Sequence, residues 1–174
     1  NGYFQSTMSD KIHGFKPIFA ADSRLLILGS FPSVKSRKAD FYYGNPQNRF
    51  WKMLCAFFGE KAESTEEKRA LLLSRGIALW DAVASCEIRV PAHATLPKHG
   101  APNPPAPLAR TRIQNIFCNG RRAYEVLSAA YPSLPVPVRL LPSTSPANPR
   151  FDARVWEEAL AAALGESSRR PEIL

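Results

Sequence analysis

Residues 24–29, Arg24-Leu25-Leu26-Ile27-Leu28-Gly29, form a short apolar run that ends in glycine. A strand with one wet face alternates apolar and polar residues. An unbroken run reads instead as a strand covered on both faces, as in a parallel sheet. Three later segments read as strands too: 77–80 (IALW), 112–118 (RIQNIFC) and 136–141 (VPVRLL). Helical patterns separate them. Asn45-Pro46 offers a cap and a first helical residue, and Phe50, Trp51, Leu54, Phe57 and Phe58 follow at helical spacing up to Gly59. A second helix is expected over 65–74, with Glu66 and Glu67 near its positive end and Gly76 beyond it, and two more over 121–130 and 152–164. Strands alternating with helices predict a three-layer α/β/α domain around a short, mainly parallel four-stranded sheet. Ligands of such sheets bind beyond the carboxyl ends of the strands. The loops 30–43 and 142–150 and the Asn119-Gly120 turn should therefore meet in one crevice.

The chain has 174 residues, 45% hydrophobic and 22% charged, an ordinary globular composition. Residues 8–165 are expected to form a single domain. The first seven, NGYFQST, read as the remnant of a cleavable tag, and 166–174 as a polar tail. No run approaches the roughly 18 apolar residues of a membrane span, and a cytoplasmic, monomeric protein is expected. Cys55, Cys86 and Cys118 are odd in number and too widely spaced for a zinc or iron–sulfur site, so reduced thiols are expected and no metal or cofactor. Residues 91–107 contain six prolines together with His93 and His99, an irregular excursion of a length that usually serves function. The net charge of +8 favours a polyanionic partner.

Three segments carry the chemistry. The first is Gly29-Ser30-Phe31-Pro32-Ser33 with Ser36, running on to Phe41-Tyr42-Tyr43-Gly44-Asn45-Pro46-Gln47-Asn48-Arg49-Phe50-Trp51. The second is Phe117-Cys118-Asn119-Gly120, and the third Leu141-Pro142-Ser143-Thr144-Ser145-Pro146-Ala147-Asn148. Alone, each has a bland reading: a strand-to-helix turn, a turn pair, an Asn satisfying backbone N–H groups at a helix start, and serines capping a helix. Together they fall at strand ends of one domain, beside the basic residues Lys35, Arg37 and Lys38. The first segment resembles the opening motif of mismatch-specific uracil-DNA glycosylases. The set as a whole resembles more closely the hypoxanthine-DNA glycosylase branch of that superfamily, over about residues 20–165.

The resemblance implies a uracil-DNA glycosylase-like fold and a DNA repair enzyme that excises a deaminated base, hypoxanthine or uracil, from duplex or single-stranded DNA. Such an enzyme flips a nucleotide from the stack, holds the base against an aromatic wall and reads its edge. Breaking the C1′–N bond leaves positive charge on the sugar and negative charge on the base, so donors to the base and a held water are needed. In these terms backbone groups of Gly29, Ser30 and Phe31 bind the base, Tyr43 stacks on it, and Asn119 meets its lactam edge. Ser33, Ser36, Ser143, Thr144 and Ser145 grip phosphates through hydroxyls and free N–H groups. Pro146 through Asn148 to Arg150 forms the wedge that fills the vacated stack. The mismatch-specific enzymes carry an Asn at the third position of the first motif, where this chain has Phe31. Phenylalanine cannot hold water, and the resemblance moves that role to Asn48. Leu141 stands where the longest-known uracil glycosylases have a histidine.

Two other classes compete. One is a DNA-binding module of the same fold whose catalytic site has decayed, suggested by Phe31 and by the proline-rich stretch. The other is a small-molecule hydrolase or nucleotide-binding protein. The absence of Gly-x-x-x-x-Gly-Lys, Gly-x-Ser-x-Gly and Gly-x-Gly-x-x-Gly patterns counts against it.

Overall fold

Leu25–Gly29 forms the centre of the main sheet, and every one of its residues is buried. Leu25 and Ile27 point into one apolar layer, Leu26 and Leu28 into the other. The structure, a computed structural model, describes residues 10–88, 101–102 and 109–165. In chain order these comprise β1 (Asp10–His13), β2 (Leu25–Gly29), α1 (Val34–Ala39), α2 (Phe50–Phe58), α3 (Thr65–Ser74), β3 (Ile77–Asp81) and β4 (Val83–Ile88). There follow β5 (Ala101–Pro102), β6 (Asn115–Asn119), α4 (Arg121–Ala130), β7 (Val138–Leu141) and α5 (Ala153–Leu164). The main sheet has the order β3-β2-β6-β7, with all three pairings parallel. Side chains from α2, α3 and α5 fill the layer on one face, and α4 covers the other, so the predicted three-layer architecture is present.

The register sets the site. Gly29 pairs with Asp81, Leu28 with Cys118, and Asn119 with Leu141. Asp81, Gly29, Asn119 and Leu141 therefore form one lateral row at the carboxyl edge of the sheet, on the face shared with Ile27, Leu79 and Phe117. Strand residues two apart lie on the same face, so this row caps the larger core layer.

Four local features depart from the sequence reading. The helix expected from Asn45 begins only at Phe50. Asn45 Oδ1 accepts the Gln47 N–H and Asn48 Oδ1 accepts the Phe50 N–H, so two short side-chain-closed turns take the place of a first helical turn. Arg49, at the cap position, makes no side-chain capping bond. The six buried side chains of α2 outweigh this: each contributes about 1.5–3 kcal/mol, against about 1 kcal/mol for a missing cap. Within the expected loop 30–43, α1 forms from Val34-Lys35-Ser36-Arg37-Lys38-Ala39, with Ser33 accepting the Ser36 N–H as its cap. That helix buries only Ser36, so no apolar stripe announced it. A small antiparallel sheet, β1-β4-β5, was not foreseen either. Finally, Phe41 and Tyr42, expected in the loop 30–43, belong to the core. Phe41 stacks on Trp51, whose Nε1–H donates to the Tyr42 carbonyl at 2.8 Å.

The tag-like residues 1–7, the tail 166–174 and most of the proline-rich stretch, His93 and His99 included, lie outside the described residues. Cys55 and Cys118 are free thiols, and burial raises Cys118 to about 12. Among the described residues no helix is long and apolar enough to cross a membrane.

Candidate functional site

Three chain segments converge on the carboxyl edge of the sheet. The first leaves β2 through Gly29-Ser30-Phe31. The Gly29 carbonyl accepts the Ala82 N–H and the Ser30 carbonyl accepts the Val83 N–H, so β4 is bound to the outgoing turn. Those contacts fix the carbonyl sides of the two peptides. The N–H groups of Ser30 and Phe31 make no hydrogen bond among the described residues. The Phe31 side chain is buried against Val83.

Tyr43 returns over this turn with a left-handed backbone (φ 52°) that few non-glycine residues adopt. One face of its ring stacks on Phe50, with centroids 4.3 Å apart. The residue is half-buried, and its hydroxyl is fully enclosed. A side-chain carbon built on Gly29 would lie 2.7 Å from Asp81 Oδ1 and 2.8 Å from the Tyr43 hydroxyl. The absence of a side chain at 29 is thus what lets a carboxyl and a phenol both approach the strand end. The Tyr43 hydroxyl has no well-formed hydrogen bond among the described residues, though the Asn119 side chain lies beside it. Burial first, and the nearby Asp81 carboxyl second, push this phenol far above its ordinary value, so it stays neutral. Burial also raises the Asp81 carboxyl, to about 7.

Asp81 was missed by the sequence reading, which ended the second strand at Trp80. The signal was present as a lone acidic residue closing an apolar strand. Its importance, however, depends on its pairing with Gly29, which only the register supplies.

The second segment, Asn119-Gly120, was expected to present an amide to a base. The structure ties that amide to the neighbouring loop. Asn119 Nδ2 donates to Thr144 Oγ1 and Asn119 Oδ1 accepts the Thr144 N–H, both at 3.0 Å. One Asn119 N–H and one oxygen lone pair remain.

The third segment, 142–150, is held at every turn. Trp156 Nε1–H donates to the Pro142 carbonyl at 2.7 Å. Ser143 Oγ accepts the Ser145 N–H, Ser145 Oγ accepts the Ala147 N–H, and Asn148 donates to the Ser143 carbonyl. Two expectations are corrected here. Thr144 is 1% exposed, its hydroxyl and N–H both bonded to Asn119, so it anchors the loop and cannot touch a phosphate. The free N–H groups expected at 144 and 145 are likewise occupied. Ser143 and Ser145 accept internal bonds but keep their hydroxyl hydrogens, so each can still donate outward. Pro146, Ala147 and Arg150 are exposed and Asn148 half-buried, which leaves 146–150 as a projecting tip.

Ser36 requires a third correction. It is 4% exposed and accepts a bond from the Ser33 hydroxyl, which removes it from any surface contact. Ser33 itself is exposed, as are Lys35 and Lys38 on the same short helix.

Asn48 is half-buried at the start of α2. Its Oδ1 accepts the Phe50 N–H at 2.9 Å, and its amide hydrogens make no bond among the described residues. Asn48 thus satisfies one backbone N–H at the helix start, and this leaves its second lone pair and both N–H donors available.

The family model of the uracil DNA glycosylase superfamily matches residues 17–161. The chain belongs to this superfamily. Two curated relatives are each named hypoxanthine DNA glycosylase. One, from Methanosarcina barkeri, is 38% identical over 73 residues, 41% of this chain and 46% of the relative. The other, from Methanosarcina acetivorans, is 39% identical over 70 residues, 39% of this chain and 44% of the relative. The matched segments thus span under half the length of these relatives. A solution NMR structure of a candidate uracil DNA glycosylase from Methanosarcina acetivorans superposes with a TM-score of 0.74 at 28% identity. That match covers 90% of this chain and 100% of that one. The superfamily fold and the branch resemblance read from the motifs therefore both hold.

Proposed function

We propose that this protein is a monofunctional DNA glycosylase that flips a deaminated base out of DNA and hydrolyses its N-glycosidic bond, with hypoxanthine as the leading substrate. The observation that carries the reading is the row Asp81, Gly29, Asn119 at the sheet edge with Tyr43 folded over Gly29. A half-buried tyrosine ring, unclaimed backbone N–H groups at Ser30 and Phe31, and a carboxyl whose burial favours its neutral form suit a flat lactam base, which needs stacking above and both donors and acceptors at its edge. Membership of the superfamily and the names of the two curated relatives support the same choice.

In the reaction the C1′–N bond breaks and its electron pair leaves with the base. Donors at the Gly29-Ser30-Phe31 turn stabilise the negative charge that develops there. Water adds to C1′, and the proton it gives up neutralises the departing base, so the products are an abasic sugar and the free base. Asn48 holds that water through the free lone pair of Oδ1, a role that Phe31 cannot fill. Ser143 and Ser145 donate their hydroxyls to flanking phosphates, Lys35, Lys38 and Arg150 add positive charge, and 146–148 enters the stack.

The deciding experiment is base release under single-turnover conditions from oligonucleotides that carry one inosine, uracil, xanthine or mismatched thymine. Release of hypoxanthine fastest is the expected result. Tight binding to the panel with no base released from any member would mean a DNA-binding module, and neither binding nor release would overturn the reading altogether.

A further inference from the structure

Arg49 commits its side chain to one loop. Its Nη2 donates to the carbonyls of Ser145 and, at 2.7 Å, Asn148. Its Nε reaches the Thr144 carbonyl at 3.5 Å, and its backbone N–H donates to that same carbonyl at 3.1 Å. The ring of Phe151 lies under the guanidinium, 4.7 Å from centroid to Cζ. One residue at the start of α2 thus holds three carbonyls from a loop roughly a hundred positions away in the chain.

Two of those carbonyls belong to residues followed by proline, Ser145-Pro146 and Asn148-Pro149. Peptide units that end in proline have no N–H, so the carbonyl is the sole hydrogen-bonding group by which either can be fixed. Arg49 takes both. Proline also confines the residue before it to extended backbone. The tip is therefore stiff along its length, and its attitude toward the rest of the protein depends on how those carbonyls are held. A guanidinium presents several donors in a rigid planar fork, which an ammonium group cannot reproduce across three acceptors.

We propose that Arg49 is a positioning residue for DNA binding: it holds the 143–150 loop so that the Ser143 and Ser145 hydroxyls and the 146–148 tip face the substrate. This rests on the glycosylase reading above. Arg49 acts through the loop, and it needs no contact with DNA to do so.

Two measurements test it. The first is hydrogen exchange of the free protein at the Ser145, Ala147, Asn148 and Arg150 amides, each of which is bonded inside the loop. In Arg49→Gln and Arg49→Lys these amides should exchange about tenfold faster or more, while β2 amides keep their protection. Unchanged loop exchange in both variants would overturn the proposal. The second is a double-mutant cycle on affinity for a duplex carrying an uncleavable lesion analogue. Ser145→Ala should weaken binding in the wild-type background and add little in Arg49→Gln, because the hydroxyl is already misplaced there. At saturating enzyme the single-turnover rate should change far less than the half-saturating concentration, which should rise by about tenfold. Additive losses, or full rescue by Arg49→Lys, would mean that Arg49 supplies charge to DNA directly, and the proposal would fall. The exchange experiment uses no DNA. If the wild-type protein neither binds nor cleaves, the glycosylase reading fails while the exchange result still decides whether Arg49 holds the loop.

Discussion

The Tyr43 hydroxyl and the Asp81 carboxyl both close on the space beside the Cα of Gly29, which any side chain at position 29 would fill. Gly29→Ala must therefore displace one or both groups, neither of which is the loose end of a flexible chain. Overpacking of this kind costs about 1–3 kcal/mol. The expected outcome is a lowered Tm with excision of every base reduced more than the stability loss accounts for. A variant with wild-type single-turnover rates would show that the placing of Tyr43 and Asp81 around Gly29 has no part in the chemistry.

Asp81 gives the fold a defined pH dependence. Burial holds its carboxyl at about 7, against an ordinary value of 3.8. Between these values the folded chain keeps a proton that the unfolded chain has lost, so stability falls as pH rises. The contribution of neutral Asp81 is full below about 4 and is lost as pH climbs through about 7. Asp81→Asn stays neutral throughout, so its urea midpoint should change less than the wild type's between pH 5 and pH 8 and should exceed it at pH 8. Parallel wild-type and variant curves would show that Asp81 does not titrate in this window.

The bond that Asn48 makes and the catalytic role proposed for it can be tested apart. Its oxygen accepts the Phe50 N–H, so Asn48→Ala should lose about 1 kcal/mol of stability as the start of α2 loses a cap. If Asn48 holds the water as proposed, the same change should also lower excision by about 10²–10³. Asn48→Asp preserves the capping oxygen and should restore the stability. If Asn48→Ala changes Tm but not the rate of base release, its role is that of a cap alone.

Asn119→Ala leaves the Thr144 N–H buried without its partner, at a cost of about 1–3 kcal/mol. Because Thr144 anchors the 143–150 loop, binding of all lesion-bearing DNAs should weaken together. A loss confined to lactam bases, with Tm unchanged, would instead show that the Asn119 amide reads the base.

Much of this molecule could be read along the chain. The run at 25–29, the stripe from Phe50 to Phe58 and the acidic start of the helix at 65–74 each specify their element locally, because burial on both faces, 3.6-residue spacing and charge matched to the helix dipole leave marks within a few residues of one another. The order of these elements implied the three-layer fold, and the motif spacing implied the superfamily. What the chain could not announce was anything fixed by contacts between distant segments. Asp81 owes its raised carboxyl to burial at a sheet edge where it pairs with Gly29, 52 positions back in sequence. Thr144 and Ser36 look like surface hydroxyls in sequence and are buried by partners or packing that no local pattern specifies. Arg49 reads as a basic residue beside a DNA motif, yet its guanidinium is turned inward by the carbonyls of a proline-stiffened loop. Sequence determines which backbone each segment prefers, since that is a matter of neighbouring residues. The exposure, charge state and partner of a polar side chain depend on what the fold brings against it, and only the tertiary structure decides that.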